Sequence, residues 1–302
     1  MARYPLLTNA AGACKTKEEI KRAIISNPFQ AVVIGSITLD PRPGNPEPNF
    51  YYLERTSINA VGLKNPGLSY YKRILGEVKR EFPESYLIVS VAYDPTEPMD
   101  IPSQYRLLCE ELLKTGDVFV ELNISCPNVG SLVYKDEELL ERILEEVEGI
   151  PKMKRNYSIK VGYMQGEEEF EGFAEVLSSF DPYGVVAINT MPGLMVDERG
   201  TPLLKLRYGG IGGEAIRPFA LYVVSKLRDV LEDRIRIIGC GGISTPQHAL
   251  VFLKNGANHL QIGTKYMMKE DDPYFLSNFL LELLEHKDEI AELSKLEEEL
   301  CS

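Results

Sequence analysis

Basic residues are in short supply in this chain. Lysines and arginines number 33 against 45 aspartates and glutamates, a formal charge of −12 over 302 residues. That balance excludes a general nucleic-acid or anionic-membrane surface, which needs a basic face. An anionic ligand would have to be met by a few cations gathered at one place. Histidine is scarcer still: His248, His259 and His286 have no metal-ligand spacing and are read as non-ligands. Five cysteines, at 14, 109, 126, 240 and 301, form no CxxC pair. This excludes a disulfide framework and a zinc site, and it fits a reducing, cytoplasmic setting. No apolar run approaches the length of a membrane span, and the start, MARYPLLTNAAG, lacks the apolar core of a signal peptide.

What the chain does contain is alternation. Nearly continuous apolar runs, rich in β-branched residues, fall at 5–11, 31–38, 86–93, 118–125, 157–163, 184–190, 234–242 and 259–264. Such runs suit parallel strands covered on both faces. Longer amphipathic runs lie at 16–27, 69–82, 102–115, 137–150, 168–179, 214–230, 245–255 and 273–286. Thr16-Lys17-Glu18-Glu19 has the form of a capping box, and Thr245-Pro246 that of an N-cap with a first-turn proline. Eight strands alternating with eight helices predict an α/β fold, a (β/α)8 TIM barrel, as a single domain over 1–302. A doubly wound open sheet is the alternative. The connections 39–68 and 191–213 are too long for plain loops. Both follow strand C-terminal ends, the face where barrel enzymes build their sites. The acidic stretch 286–302 is expected as a solvated tail helix.

Strand ends carry the chemistry-bearing residues. Gly241, Gly242, Gly263 and Thr264 fall at the ends of adjacent late strands, where bare backbone N–H groups can approach a phosphate. GGIGGEA, 209–215, imitates a dinucleotide fingerprint but follows a polar loop, so a Rossmann reading is rejected. Lys160 ends an apolar strand, and a buried ammonium needs an anionic partner. In NISCPN, 123–128, a lone cysteine stands between two asparagines. Taken alone, Cys126 reads as a small buried residue beside a turn.

Nine segments in order change that reading: NAAG (9–12), PGNPEP (43–48), SINAVGLKNPG (57–67), NISCPN (123–128), IKVGY (159–163), INT (188–190), GGIGG (209–213), GCGGI (239–243) and IGT (262–264). Over nearly the whole chain they resemble the dihydroorotate dehydrogenases, FMN-dependent barrel enzymes of pyrimidine synthesis. The resemblance implies oxidation of dihydroorotate to orotate. Cys126 matches the base that takes the C5 proton, while FMN N5 takes the C6 hydride. A thiol suits that task because its pKa lies near enough to neutrality to be tuned. By matching position, Asn59, Asn123, Asn128 and Asn189 would hold the substrate, with Thr190 alongside. Each amide offers a donor and an acceptor. The backbone of 60–63, including Gly62 and Leu63, would contribute N–H groups to the substrate carboxylate. Lys160 would lie beside flavin N1 and O2 and stabilise the reduced anion. The implied FMN site adds Ala10, Ala11, Gly12, Ser36, Gly212 and Gly213 to Asn123, Asn189, Gly241, Gly242, Gly263 and Thr264.

Three departures stand out. Class 1 members carry a lysine near the end of the second strand, where this chain has Gly35. Class 2 members carry theirs after the first strand, in an AAGxDK segment, and here the segment is AAGACK. Lys15 is therefore expected to take over the substrate carboxylate, giving a class 1 base with a class 2 lysine. A first-turn lysine facing solvent is the alternative, with Lys17 close by. The stretch 129–138 is short for the loop that closes over substrate in class 1. Cys240 replaces an expected threonine or valine and is read as a small buried side chain. Competing readings are a flavoenzyme of dihydrouracil-type pyrimidines and a non-catalytic FMN-binding barrel. The second electron acceptor stays open between fumarate and NAD reached through an iron–sulfur and FAD partner subunit. SIN leans to the first and GLKNPG to the second. Class 1 relatives associate, so a homodimer is one option, but the sequence marks neither the oligomeric state nor an interface.

Overall fold

Each apolar run becomes a strand because its residues can be buried on both faces at once, and each amphipathic run becomes a helix that covers them. The computed structural model describes residues 4–125, 133–269 and 272–290. In chain order the elements are β1 (Leu7–Asn9), α1 (Lys17–Ser26), β2 (Ala31–Ile37), β3 (Phe50–Leu53), β4 (Thr56–Asn59), α2 (Leu68–Glu81) and β5 (Tyr86–Val91). Next come α3 (Ile101–Leu113), β6 (Phe119–Asn123), α4 (Glu137–Glu148), β7 (Tyr157–Val161), α5 (Glu167–Ser178), β8 (Gly184–Ala187) and β9 (Met191–Gly193). The last are β10 (Gly209–Gly213), α6 (Arg217–Leu231), β11 (Arg236–Cys240), α7 (Pro246–Lys254), β12 (His259–Ile262), α8 (Thr264–Met267) and α9 (Phe275–Leu284). Both sequence caps are present. Thr16 Oγ1 accepts from Glu19 N at 3.2 Å, and Glu19 Oε2 accepts from Thr16 N at 2.8 Å. Thr245 Oγ1 accepts from His248 N at 3.3 Å.

Eight strands pair in parallel in the order β1-β12-β11-β8-β7-β6-β5-β2. The ring is completed between β1 and β2 by a side chain. Asn9, fully buried, donates from Nδ2 to Val33 O at 2.7 Å and accepts on Oδ1 from Val33 N at 3.0 Å. These are the two bonds that a neighbouring strand's backbone would make. Two backbone bonds continue the seam, Gly12 N to Gly35 O at 2.6 Å and Gly35 N to Cys14 O at 3.1 Å. The result is the (β/α)8 barrel that the alternation predicts.

The long connections are more than loops. They pair into an antiparallel sheet of order β3-β4-β10-β9, with Gly212 opposite Ser57 and Gly210 opposite Asn59. GGIGG is thus a strand, and its glycines permit close approach: a Cβ on Gly209 would lie 2.5 Å from Asn59 O. Inside the barrel the strand alternation turns Phe119, Glu121 and Asn123 of β6 inward in succession. The C-terminal expectation meets only a 3-10 turn at Lys287–Glu289; residues 291–302 lie outside the described ones. Among the described residues, no helix is long and apolar enough to cross a membrane, and no cluster of His, Cys, Asp and Glu could hold a metal ion.

Replacing Asn9 with alanine leaves the Val33 N–H and C=O unpaired in a dry interior. The free energy of unfolding is expected to fall by about 3 kcal/mol, read from urea denaturation, since each orphaned group costs roughly 1–3 kcal/mol.

Candidate active site

A cavity of about 300 Å³ opens at the C-terminal ends of the barrel strands. Its floor is made by Ser36, Asn123, Lys160, Asn189 and Cys240. The antiparallel sheet forms one wall, with Phe50, Arg55, Ser57, Asn59, Gly212 and Gly213. Gly241, Gly242, Ser244, Gly263, Thr264 and Lys265 line one end. Ala10, Ala11, Gly12, Lys15, Gly62, Leu63 and Thr190, also sequence-predicted, lie at its margin. Four cations, Lys15, Arg55, Lys160 and Lys265, face this space, and no carboxylate lines it among the described residues. The local focusing of positive charge expected for an anionic ligand is therefore present, against the overall field of the chain.

The floor asparagines are held by the fold. Asn123 Nδ2 donates to Ser36 Oγ at 2.8 Å, and Ser36 shares a hydrogen bond with Ser90 Oγ at 2.8 Å. Asn123 Oδ1 accepts from Asn189 Nδ2 at 3.2 Å, and Asn189 Oδ1 accepts from Thr190 N at 2.8 Å. Tyr105, from α3, donates its hydroxyl to Asn123 O at 2.8 Å. Asn59 Nδ2 donates to Gly210 O at 3.1 Å, tying β4 to β10 beside the cavity. Both ends of the amide chain are thus fixed before any ligand arrives.

Lys160 has the anionic partner that burial demands, and it is a protein group. Its side chain is 5% exposed, and Nζ lies 3.9 Å from Oε1 of Glu121, which is fully buried. Burial alone would push the ammonium pKa down, but Glu121, helped by the Cys240 thiol, outweighs it and the net direction is up. Lys160 is held as a cation at the floor. Burial also raises the thiol of Cys240, Lys160 pulling the other way. That fits a small buried side chain. Sequence reading missed Glu121, Arg55 and Lys265. The signal for Glu121 was a lone carboxylate within VFVELNIS, two residues before Asn123 and so on the same strand face.

The two candidate lysines separate cleanly. Lys17 sits on the outside of α1, 2.6 Å from Glu77. Lys15 lines the cavity and has no carboxylate at ion-pair distance among the described residues. Burial lowers its pKa, with Glu19 opposing and Lys64 adding to the fall. Cys126 and Asn128 lie outside the described residues, as does the part of the short 129–138 stretch that precedes the 3-10 turn Val133–Lys135.

A family model described as dihydroorotate dehydrogenase matches residues 4–285. Dihydroorotate dehydrogenase (fumarate) of Kluyveromyces lactis is 34% identical over 291 residues, 94% of this chain and 90% of that protein. Dihydroorotate dehydrogenase A (fumarate) of Lactococcus lactis is 33% identical, over 93% and 89% of the two chains. The catalytic subunit of dihydroorotate dehydrogenase B (NAD(+)) of Listeria innocua is 30% identical, over 97% and 93%. A crystal structure of the Eimeria tenella dihydroorotate dehydrogenase in complex with ferulenol superposes with a TM-score of 0.81 at 20% identity, covering 96% of this chain and 84% of that one. At that identity the likeness concerns the fold, and it agrees with the barrel.

Gly35, where the resemblance leads one to expect a class 1 lysine, has no room for a side chain in this backbone conformation. Gly35 adopts φ +102°, and a Cβ on it would lie 2.5 Å from Ser90 O. Gly35→Ala is expected to lower the free energy of unfolding by about 2 kcal/mol or more, through positive-φ strain and the clash. Thermal or urea unfolding of the variant checks this.

Proposed function

The chain belongs to the dihydroorotate dehydrogenase family, and on that premise we propose how it oxidises dihydroorotate to orotate in pyrimidine synthesis. The observation that carries the reading is the cavity wall with four cations and no described carboxylate, in a chain of net charge −12. It suits two anions, the substrate carboxylate and a flavin phosphate.

The residues present fit FMN. Lys160 supplies a buried cation at the floor, and a Cβ on Gly263 would have only Ala10 Cβ near it, at 3.5 Å. Gly241 and Gly242, at φ +126° and +80°, let the backbone there pack against Ala220 and Arg217, where a Cβ would lie 2.8 and 2.6 Å away. The phosphate is assigned to the backbone of Gly241, Gly242, Gly263 and Thr264, with Arg55 and Lys265 as the cations at that end. The ring system is assigned to Ala10, Ala11, Gly12, Ser36, Asn123, Lys160, Asn189, Gly212 and Gly213. When bound, FMN supplies a two-electron acceptor for the hydride.

Lys15 takes the substrate carboxylate, with backbone N–H groups of Gly62 and Leu63. Asn59, Asn123, Asn128, Asn189 and Thr190 hold the pyrimidine edge. Cys126, assigned from its place in NISCPN, receives the C5 proton. A dihydrouracil-type substrate would leave Lys15 without an anion. Partner association and a cytoplasmic setting fit the same reading, the latter because Cys14, Cys109 and Cys240 are free thiols.

Anaerobic dihydroorotate is expected to bleach the bound flavin. In Cys126→Ala the flavin should remain bound and bleaching should slow by about 100-fold or more; equal rates would remove the cysteine from the mechanism. Adding fumarate to the bleached protein then tests the acceptor. Reoxidation places it with the fumarate-using relatives, and no reoxidation points to a partner subunit.

Lys15→Ala is expected to raise KM for dihydroorotate about 10- to 100-fold, the worth of one charge-assisted contact, and Lys17→Ala to leave it unchanged. Because the Lys15 pKa is depressed, its cation is fully present at low pH and is lost as pH rises through that lowered value. Substrate affinity should weaken on the alkaline side in the wild type, a limb that Lys15→Ala lacks.

A further inference from the structure

The reaction as assigned leaves a buried charge inside the barrel without a use. Glu121 lies inside the barrel, is fully buried, and is absent from the cavity wall. Its Oε2 accepts from Gln261 Nε2 at 2.9 Å. Its Oε1 accepts no hydrogen bond and faces Lys160 Nζ at 3.9 Å. Gln261 also reaches the lysine, Oε1 lying 3.5 Å from Nζ. One glutamine thus bridges a carboxylate and an ammonium in a dry interior, and only the ammonium meets the cavity. Stability does not explain such a pair, since apolar residues of similar volume are often as stable or more so. The arrangement acts on whatever lies above Lys160.

We propose that Glu121 is a positioning residue for Lys160, fixing the ammonium and offsetting part of its charge, and so setting how strongly the cavity floor favours bound flavin in its anionic reduced form. This rests on the FMN assignment above. The physical argument is Coulombic. A cation alone at the floor would stabilise negative charge on the flavin ring strongly. A carboxylate behind it, in a low-dielectric interior, opposes that stabilisation without touching the ligand.

The test uses the flavin-loaded protein and two readouts other than turnover: the midpoint potential of the bound flavin, and its affinity for sulfite, which adds to flavin as an anionic adduct. Both are measured at pH 6, where a lysine deprived of its counter-charge is most fully protonated. Glu121→Gln should raise the potential and tighten sulfite binding about tenfold or more. Glu121→Asp, which keeps the charge but withdraws it, should fall between Glu121→Gln and wild type. In Lys160→Met the potential should drop, and adding Glu121→Gln to it should raise the potential far less than in wild type. If Glu121→Gln does not fold, the aspartate variant decides alone. Wild-type potential and sulfite affinity in the folded Glu121 variants would overturn the proposal. A wild-type protein that takes up no FMN would instead remove the flavin assignment on which it stands.

Discussion

A row of parallel strands keeps two open edges until its first and last members meet, and in this molecule the meeting falls to Asn9. β1 is three residues long and contributes little ladder of its own. The side-chain amide supplies a donor and an acceptor with backbone spacing, so Val33 finds partners on its β1 side although no β1 backbone pairs with it. The segments that carry Lys15 and Ser36 hang on that closure. AAGACK leaves β1 and passes Gly35 through two backbone bonds, which sets where Lys15 enters the cavity. Were the seam to open, the two segments bearing Lys15 and Ser36 would part together.

Above the seam, charge placement follows from the same geometry. The chain is acidic, yet among the described residues no carboxylate lines the cavity wall, and Glu121, below the floor, is buried behind a lysine. An ammonium at Lys160 is tolerable because Glu121 answers it, and Glu121 is tolerable because Gln261 answers one of its oxygens. The glycine-rich end combines the backbone of Gly241, Gly242 and Gly263 with the side chains of Ser244, Thr264 and Lys265.

Much of this was legible in the residues. Eight apolar runs were strands because continuous burial leaves no other pattern for a parallel sheet, and the caps at Thr16 and Thr245 marked helices through chemistry local to a few residues. Lys15 was separable from Lys17 only in part, since both lie within one turn; which of them turns inward depends on where β1 ends. Two things were hidden. GGIGG gave no strand signal, because glycine has no side chain to show an alternation, and its partner Thr56–Asn59 lies far away in sequence. Glu121 was hidden because an isolated charge in an apolar run looks like a strand's outward face until the inward direction of β6 is known. The carry-over of Cys126 and Asn128 still stands on sequence, as both lie outside the described residues.

The antiparallel wall of the cavity has a bearing on assembly. Asn59 and Gly210 meet across 151 positions of chain, a non-local contact of the kind that slows folding. Closing so long a loop is an entropic burden that short-range contacts cannot relieve. Ser57 and Thr264, both on the cavity, meet across 207 positions, so a ligand lodged between floor and wall acts as a clasp on contacts that are far apart in the chain. Ligand occupancy and the integrity of this wall are then one equilibrium seen from two sides. Protease resistance within 191–213 becomes a gauge of how full the pocket is.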